Sequence, residues 1–288
     1  MSYCRYCGEE LPERSPIGGR ILEFCPGSRC RVAHHRREKR YRERLTGVTI
    51  PHNLIGTLIL ELFPGAGLFG KSFEALGATV VRAPDILWGG DVRDFRGVRG
   101  KFDGIIGGPP CQFASRAAVN GTKAINLIPE FVRLVDECAP HWAVMENVRE
   151  AKPYAPRWDY VFLRDWDCCG FTHRRRGFWF YGMDAPPSPP GRTGTPEYSV
   201  LASNWNRRGL TKLHGHLHLT PQRAAELQGF PQLADKIIKS QPGWLREDGK
   251  WDGVSAFSRD VLATHMLGNG VTAATGRYIA EYVSTMIA

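Results

Sequence analysis

The chain has 288 residues and a formal net charge of +9, from 38 lysines and arginines against 29 acids, enough length to bury a proper core as one large domain with small additions. No run of about 18 apolar residues occurs and no apolar secretory segment opens the chain, so a transmembrane helix and export are not expected and the cytoplasm is the expected location. The cationic excess suits a polyanionic partner, although charge alone does not separate nucleic acid from an anionic membrane surface.

The first predicted unit covers residues 1–46. Cys4 and Cys7 form a C-x2-C pair, and Cys25 and Cys30 form C-x4-C after a longer gap. Two close thiolate pairs joined by a short loop are how a four-thiolate zinc site is built. Paired disulfides are disfavoured in a reducing compartment. Gly8 after the second cysteine suits a tight metal-binding knuckle, and Phe24-Cys25-Pro26-Gly27-Ser28-Arg29-Cys30-Arg31 resembles the second half of small bacterial zinc ribbons. Arg31 to Arg44 follows without glycine or proline and reads as a helix with arginine on almost every face. A charge run is usually just a solvated face, but this one exceeds what solubility requires. Arg31, Arg36, Arg37, Lys39 and Arg40 are therefore candidates for phosphate contacts. His34 and His35 could ligate metal, but four cysteines already saturate a tetrahedral site.

Leu58 to Leu62 is an apolar strand pattern running into Phe63-Pro64-Gly65-Ala66-Gly67-Leu68. A strand, a glycine-rich turn and a helix make a nucleotide-type cleft at the carboxyl edge of an open α/β sheet. A lone Gly-x-Gly also fits a structural turn. Thr79 to Asp85 reads as the second strand, ending in an acid, and Gly90-Asp91-Val92 follows. Phe102 to Ile106 is a third buried-strand pattern, leading into Gly107-Gly108-Pro109-Pro110-Cys111-Gln112. The paired prolines fix two successive φ angles and bias their predecessors toward extended geometry, so Cys111 is a thiol on a stiff loop. A lone cysteine is more often a small buried hydrophobe. Trp142 to Val148 is a strand-like run that reaches Glu146 near its end.

Thr172-His173-Arg174-Arg175-Arg176-Gly177-Phe178-Trp179-Phe180 is a basic strand. Residues 183–218 break the pattern, opening with the stiff segment Ala185-Pro186-Pro187-Ser188-Pro189-Pro190. Trp205, Asn206, Arg207, Arg208 and Lys212 combine an aromatic with hydrogen-bonding and cationic groups suited to DNA contact. His214, His216 and His218 alternate and would share a strand face; they are read as polar decoration rather than a three-histidine metal site. Residues 232–264 carry no assignable motif, and Ala273 to Ile287 is predicted to be a final helix.

Taken in order, the segments at 60–68, 109–112 and 146–148, with Leu227-Gln228-Gly229-Phe230-Pro231 and Gly268-Asn269-Gly270-Val271, resemble the DNA cytosine-5 methyltransferase family of bacterial or phage type. The resemblance spans roughly residues 58–182 and resumes at 219–280. It implies S-adenosylmethionine as cofactor, with Phe63 on the adenine and Gly65, Ala66, Gly67 and Leu68 at the amino-acid end. Asp85 would hold the ribose and Asp91 the adenine, while Pro110, Asn269 and Val271 complete the pocket. Cys111 would add to C6 of the base and Glu146 would hydrogen-bond its N3 and N4 edge. Gln112 and Ser115, on the loop beyond the nucleophile, would face DNA. The target must leave the duplex stack, which implies base flipping. A family Gln-x-Arg-x-Arg pattern aligns with Thr172, Arg174 and Arg176, without the glutamine; a one-residue shift would bring in His173 and Arg175, so Arg175 stays open. Gln222-Arg223 stands where the family has Arg-Glu.

The resulting expectation is a Rossmann-like methyltransferase sheet of α/β class with a zinc ribbon at 1–46. The catalytic domain would occupy 47–182, a short target-recognition region 183–264, and a completing C-terminal segment 265–288. The expected activity is S-adenosylmethionine-dependent methylation of cytosine C5 in duplex DNA by a monomer, in a restriction–modification, orphan or phage setting. A tRNA cytosine-5 methyltransferase and a catalytically silent DNA-binding protein are the alternatives.

Overall fold

The computed structural model describes residues 53–114, 125–200, 220–239 and 256–287, plus the backbone of three two-residue strand pairs. One of these pairs, Ser2–Tyr3 with Glu10–Leu11, brackets Cys4 and Cys7 in sequence. The other two join Lys212–Leu213 to Leu217–His218 and Trp244–Leu245 to Trp251–Asp252. No helix among the described residues is long and apolar enough to cross a membrane.

The main body is a six-stranded mixed sheet. Its strands are β1 (Leu58–Leu62), β2 (Thr79–Arg82), β3 (Gly104–Gly107), β4 (Trp142–Asn147), β5 (Asp159–Arg164) and β6 (Arg175–Tyr181). They lie in the order β2-β1-β3-β4-β6-β5. The first four are parallel, and β6 runs antiparallel to both β4 and β5. Parallel strands need crossovers, and burial on both faces explains why β1, β3 and β4 read as nearly unbroken apolar runs.

Period-two alternation divides those runs between two cores. Ile59, Ile106, Val144, Phe178 and Phe180 face α1 (Leu68–Glu74) and the final helix α6 (Ala273–Ile287), where Phe73, Ile279 and Val283 meet them. Leu60, Leu62, Ile105, Met145 and Trp179 face α2 (Ile128–Cys138), which contributes Phe131, Leu134 and Val135. Gly104 is required by packing, because a Cβ there would lie 2.1 Å from the Trp142 ring. A third core joins α3 (Pro221–Leu227), α4 (Ala234–Lys239) and α5 (Ala256–Asn269) through Leu227, Phe230, Ile237, Met266 and Leu267. Leu68 at the start of α1 belongs to that third core, so the helical lobe sits against the turn after β1.

The expected basic strand begins later than its sequence suggests. Thr172 forms an isolated bridge with Glu197, and the ladder starts only at Arg175. Asp165 N still donates to the Arg174 carbonyl at 2.9 Å, one step beyond the Arg164–Arg175 pair, and the residues between them close a tight turn.

Candidate active site

The carboxyl ends of the four parallel strands open into one cavity of about 460 Å³, the usual place for ligands in an open α/β sheet. After β1 the chain turns through Phe63 at φ 52, Gly65 at φ 51 and Gly67 at φ 69. A bulky side chain in the left-handed region is uncommon and costs backbone energy; here it places Phe63 on the cavity wall. The turn is pinned from the neighbouring strand, since Gly65 N donates to Asp85 Oδ2 at 2.9 Å and Leu87 N donates to Asp85 Oδ1 at 2.9 Å.

Alternation places Glu61 on the same face as Ile59, toward α1. It is 2% exposed, accepts from Gly70 N at 2.8 Å and pairs with Arg82 Nε at 3.3 Å. Its Oε2 has no hydrogen-bond partner. Burial pushes this carboxyl up to about 7, against the opposing pull of the Gly70 N–H and the Arg82 charge.

β3 ends in the proline loop. A Cβ on Gly108 would come within 2.7 Å of Glu146 Oε2, so glycine there lets the loop close over β4. Asn147, buried beside Glu146, donates from Nδ2 to the Pro109 carbonyl at 3.0 Å and anchors the loop that presents Cys111. Glu146 Oε1 forms an ion pair with Arg176 Nε at 2.9 Å, while Arg176 NH1 donates to the Arg175 carbonyl at 2.7 Å. Burial raises the Glu146 carboxyl above the ordinary carboxylate range despite Arg176 and Arg174. Burial also raises the Cys111 thiol, the Glu146 charge adds to that, and Arg176 and Arg174 oppose it.

All the expected cofactor residues except Gly67 line this cavity: Phe63, Gly65, Ala66, Leu68, Asp85, Asp91, Pro110, Asn269 and Val271. Cys111, Gln112, Glu146 and Arg176 line it too, so one opening joins the two expected sites. Arg174 is placed differently. Its guanidinium is buried away from the cavity lining, and donates to the carbonyls of Val200 at 2.7 Å, Gly268 at 2.8 Å and Gly270 at 3.1 Å. Burial and the neighbouring Arg176 charge bring Arg174 down to about 9. Arg223, at the departure from the expected Arg-Glu pair, makes exposed ion pairs with Glu197 and Glu226.

Four lining or supporting residues had escaped the reading of the sequence. Glu61 and Asn147 lie inside motif-bearing segments, and a carboxylate in an apolar strand was the available signal. Arg93 donates from its backbone and guanidinium to Asp91, whose carboxyl it holds down at about 2. His265 lines the cavity with its Nε2 at 3.0 Å from Asn269 Nδ2, one helical turn away. Neither of these had a sequence signal beyond proximity to a motif.

Cys4, Cys7, Cys25 and Cys30 lie outside the described residues, as do Arg31, Arg36, Arg37, Lys39, Arg40, Ser115, Trp205, Asn206, Arg207, Arg208, His214 and His216. Lys212 is described only as backbone, in its short strand pair. Among the described residues no group of three or more His, Cys, Asp or Glu could hold a metal ion.

Residues 88–154, which include Cys111 and Glu146, match the family model of C-5 cytosine-specific DNA methylases. The type II methyltransferase M.FnuDI of Fusobacterium nucleatum is 31% identical over 112 residues, covering 32% of this chain and 32% of that protein. The type II methyltransferase M.HgiGI of Herpetosiphon aurantiacus is 46% identical over 50 residues, covering 17% of this chain and 40% of that one. The chain thus matches about a third of the length of the first of these curated relatives and two fifths of the second. A solved protein described as a DNA modification methyltransferase encoded within an E. coli prophage superposes with a TM-score of 0.47 at 16% identity, over 79% of this chain and 98% of that chain. The segment match and the two relatives support the C-5 cytosine methylase family.

Proposed function

We propose that this chain transfers a methyl group from S-adenosylmethionine to C5 of cytosine in duplex DNA, with Cys111 as covalent nucleophile. The observation that carries the reading is the single cavity shared by Cys111, the Glu146–Arg176 pair and the Phe63, Asp85, Asp91 and Asn269 walls. The residues fit such a cofactor. A cavity of about 460 Å³ is of the size that takes a nucleoside-bearing ligand. Phe63 offers an aromatic face, and each Asp85 oxygen accepts one N–H and keeps a second lone pair for a hydroxyl. Glu61, whose Oε2 already pairs with Arg82, adds an acidic group to the wall beside the glycine turn. When bound, S-adenosylmethionine supplies an electrophilic methyl group on a sulfonium.

Cytosine C5 is a poor nucleophile, so this chain's residues must first raise electron density there. The Cys111 sulfur forms a bond to C6, and the C5–C6 electron pair shifts to C5 as a proton is held at N3 by Glu146. A carboxyl raised by burial keeps its proton closer to neutral pH, which is the state that can donate at N3. A protonated Glu146 also stops repelling negative charge on Cys111, leaving Arg176 and Arg174 to favour the thiolate. The same proton therefore serves both partners. C5 takes the methyl group and then loses its own proton to solvent water, while the sulfur leaves C6 and N3 returns its proton to Glu146, restoring the ring. Arg176 holds Glu146 in register and presents its remaining donors at the cavity wall.

We further assign Cys4, Cys7, Cys25 and Cys30 to one Zn²⁺ on their spacing, and the cationic run from Arg31 to Arg40 to DNA phosphate. Methyl transfer from tritiated S-adenosylmethionine to duplex DNA and to tRNA tests the main reading. Incorporation into DNA at cytosine is expected. Transfer to tRNA alone would replace the substrate, and transfer to neither would leave a scaffold without catalysis.

A further inference from the structure

Asp165 is a buried carboxylate outside the cavity lining, with both oxygens bonded. It is 1% exposed at the end of β5. Its Oδ2 accepts from Thr172 N at 2.9 Å and from Thr172 Oγ1 at 2.8 Å. Its Oδ1 accepts at 3.5 Å from Thr275 Oγ1, which itself accepts from Thr272 Oγ1 at 2.9 Å. Its backbone is engaged as well, since Asp165 N donates to the Arg174 carbonyl at 2.9 Å and Gly170 N donates to the Asp165 carbonyl at 2.8 Å. A Cβ on Gly170 would lie 2.1 Å from Asp165 Oδ1, so the turn is wound tightly around this side chain.

The bonds run to two places. Thr275 stands in the first turn of α6, directly after the cavity-wall residues Asn269, Gly270 and Val271. Thr172 is two residues before Arg174, whose guanidinium holds the Gly268 and Gly270 carbonyls. Asp165 is also one of the charges that favour the buried Arg174 cation. Burial, reinforced by the Asp165 charge, pushes the adjacent Cys168 thiol up to about 12. Thr172 stands where the resembled pattern has glutamine, and its shorter side chain lets the hydroxyl end on Asp165.

We propose that Asp165 is a positioning residue for methyl transfer: through Thr172, Arg174 and Thr275 it fastens the wall segment 268–272 to the turn leading into β6, the strand that carries Arg176. Freed from that fastening, the segment samples arrangements in which Asn269 and Val271 no longer line the cavity. Apparent affinity for a ligand then falls by the fraction of molecules still competent. The kinetic part of this inference rests on the cavity being the S-adenosylmethionine site; the fastening itself does not.

The experiment uses the full chain with Asp165→Asn, Thr172→Val and Thr172→Ser. An asparagine oxygen can accept only part of what the carboxylate accepts, and its NH₂ faces donors. Valine removes the Thr172 hydroxyl at similar volume, and serine restores it. Hydrogen exchange is followed at Gly270, Ala273 and Gly276, whose amides donate to Leu267, Gln228 and Thr272. Asp165→Asn and Thr172→Val should speed these amides about tenfold relative to those of β1 and β3, with Thr172→Ser close to the parent. The Kd for S-adenosylmethionine should rise about tenfold, with kcat at saturation held within about twofold, the effect of a competent fraction near one tenth. Unchanged local exchange, or acceleration spread evenly over β1 and β3, overturns the proposal. So does an equal effect of Thr172→Ser and Thr172→Val. If Asp165→Asn fails to fold, the two Thr172 variants decide. If the parent does not bind S-adenosylmethionine, the cavity assignment falls while the exchange result still decides the fastening.

Discussion

Replacing Glu61 by glutamine should make stability less dependent on pH, and the structure sets both the sign and the size. The native carboxyl is pushed from 4.5 to about 7, chiefly by burial, so the folded protein binds this proton more tightly than the unfolded chain. Stability from this group is therefore fully present below about pH 4.5 and is lost as pH rises toward 7. Across that interval, at roughly 1.36 kcal/mol per pH unit, the loss comes to about 3 kcal/mol. Glutamine keeps an acceptor for Gly70 N at the 2.8 Å contact and carries no charge to bury. It gives up the 3.3 Å pairing with Arg82, a contribution screened at the exposed arginine end. Urea unfolding of the parent and of Glu61→Gln at half-unit steps from pH 4.5 to 8.5 reads the effect. The difference in unfolding free energy should move in favour of Glu61→Gln by about 3 kcal/mol up to near pH 7 and then level off. Other carboxyls, Glu146 included, titrate in both proteins and cancel in the difference. A difference that stays flat with pH would mean that Glu61 is ionised when buried, and that desolvation does not govern its proton.

Cys111→Ser should abolish methyl transfer while S-adenosylmethionine binding persists, and a fluorocytosine duplex should trap a denaturation-resistant adduct with the parent only; comparable turnover by the serine variant would refute covalent catalysis. Glu146→Gln should slow the chemical step far more than it weakens DNA binding, because phosphate contacts dominate affinity. The same change should speed iodoacetamide alkylation of Cys111 at a fixed mildly alkaline pH, since a charge that raises the thiol is gone; slower alkylation would contradict the electrostatics described. Deleting residues 1–46 should reduce the salt slope of duplex binding by about 1 for each phosphate no longer neutralised and leave cofactor affinity alone. An unchanged slope would remove DNA binding as the purpose of that segment, and metal analysis of the full chain should find about one zinc, released on replacing Cys4 and Cys7.

The parts of the fold that could be read from the residues are those where one physical demand fixes the pattern. Leu58 to Leu62 is buried on both faces, and the glycines that follow adopt positive φ, so strand, turn and helix were all legible. Ala273 to Ile287 repeats apolar residues at helical spacing and is a helix over those residues. Asp85 was legible as a carboxylate at a strand end. That its two oxygens bind Gly65 N and Leu87 N was not, because such bonds depend on how β2 sits beside β1. Glu61 followed the same rule in reverse. Its position in an apolar strand was visible, but its burial against Gly70 follows from α1 crossing that face.

The two arginines show that alternation gives direction but not role. Arg174 and Arg176 are two apart, and on a continuous strand they would point the same way. Both act on the Cys111 and Glu146 protons, and the turn that Asp165 and Thr172 close ends at Arg174. Arg174 is buried, and three carbonyls from Val200, Gly268 and Gly270 take its donors. Arg176 stays on the strand and meets Glu146 across the cavity wall. A buried cation held by carbonyls and a cavity cation held by a carboxylate have different work to do. The first ties remote segments together and its loss leaves buried acceptors unsatisfied. The second pairs directly with Glu146, while both charges act to lower the Cys111 thiol. The spacing Arg-x-Arg is common to both, so the division between them is decided by the acceptors each meets: the carbonyls of Val200, Gly268 and Gly270 for Arg174, and Glu146 on β4 for Arg176.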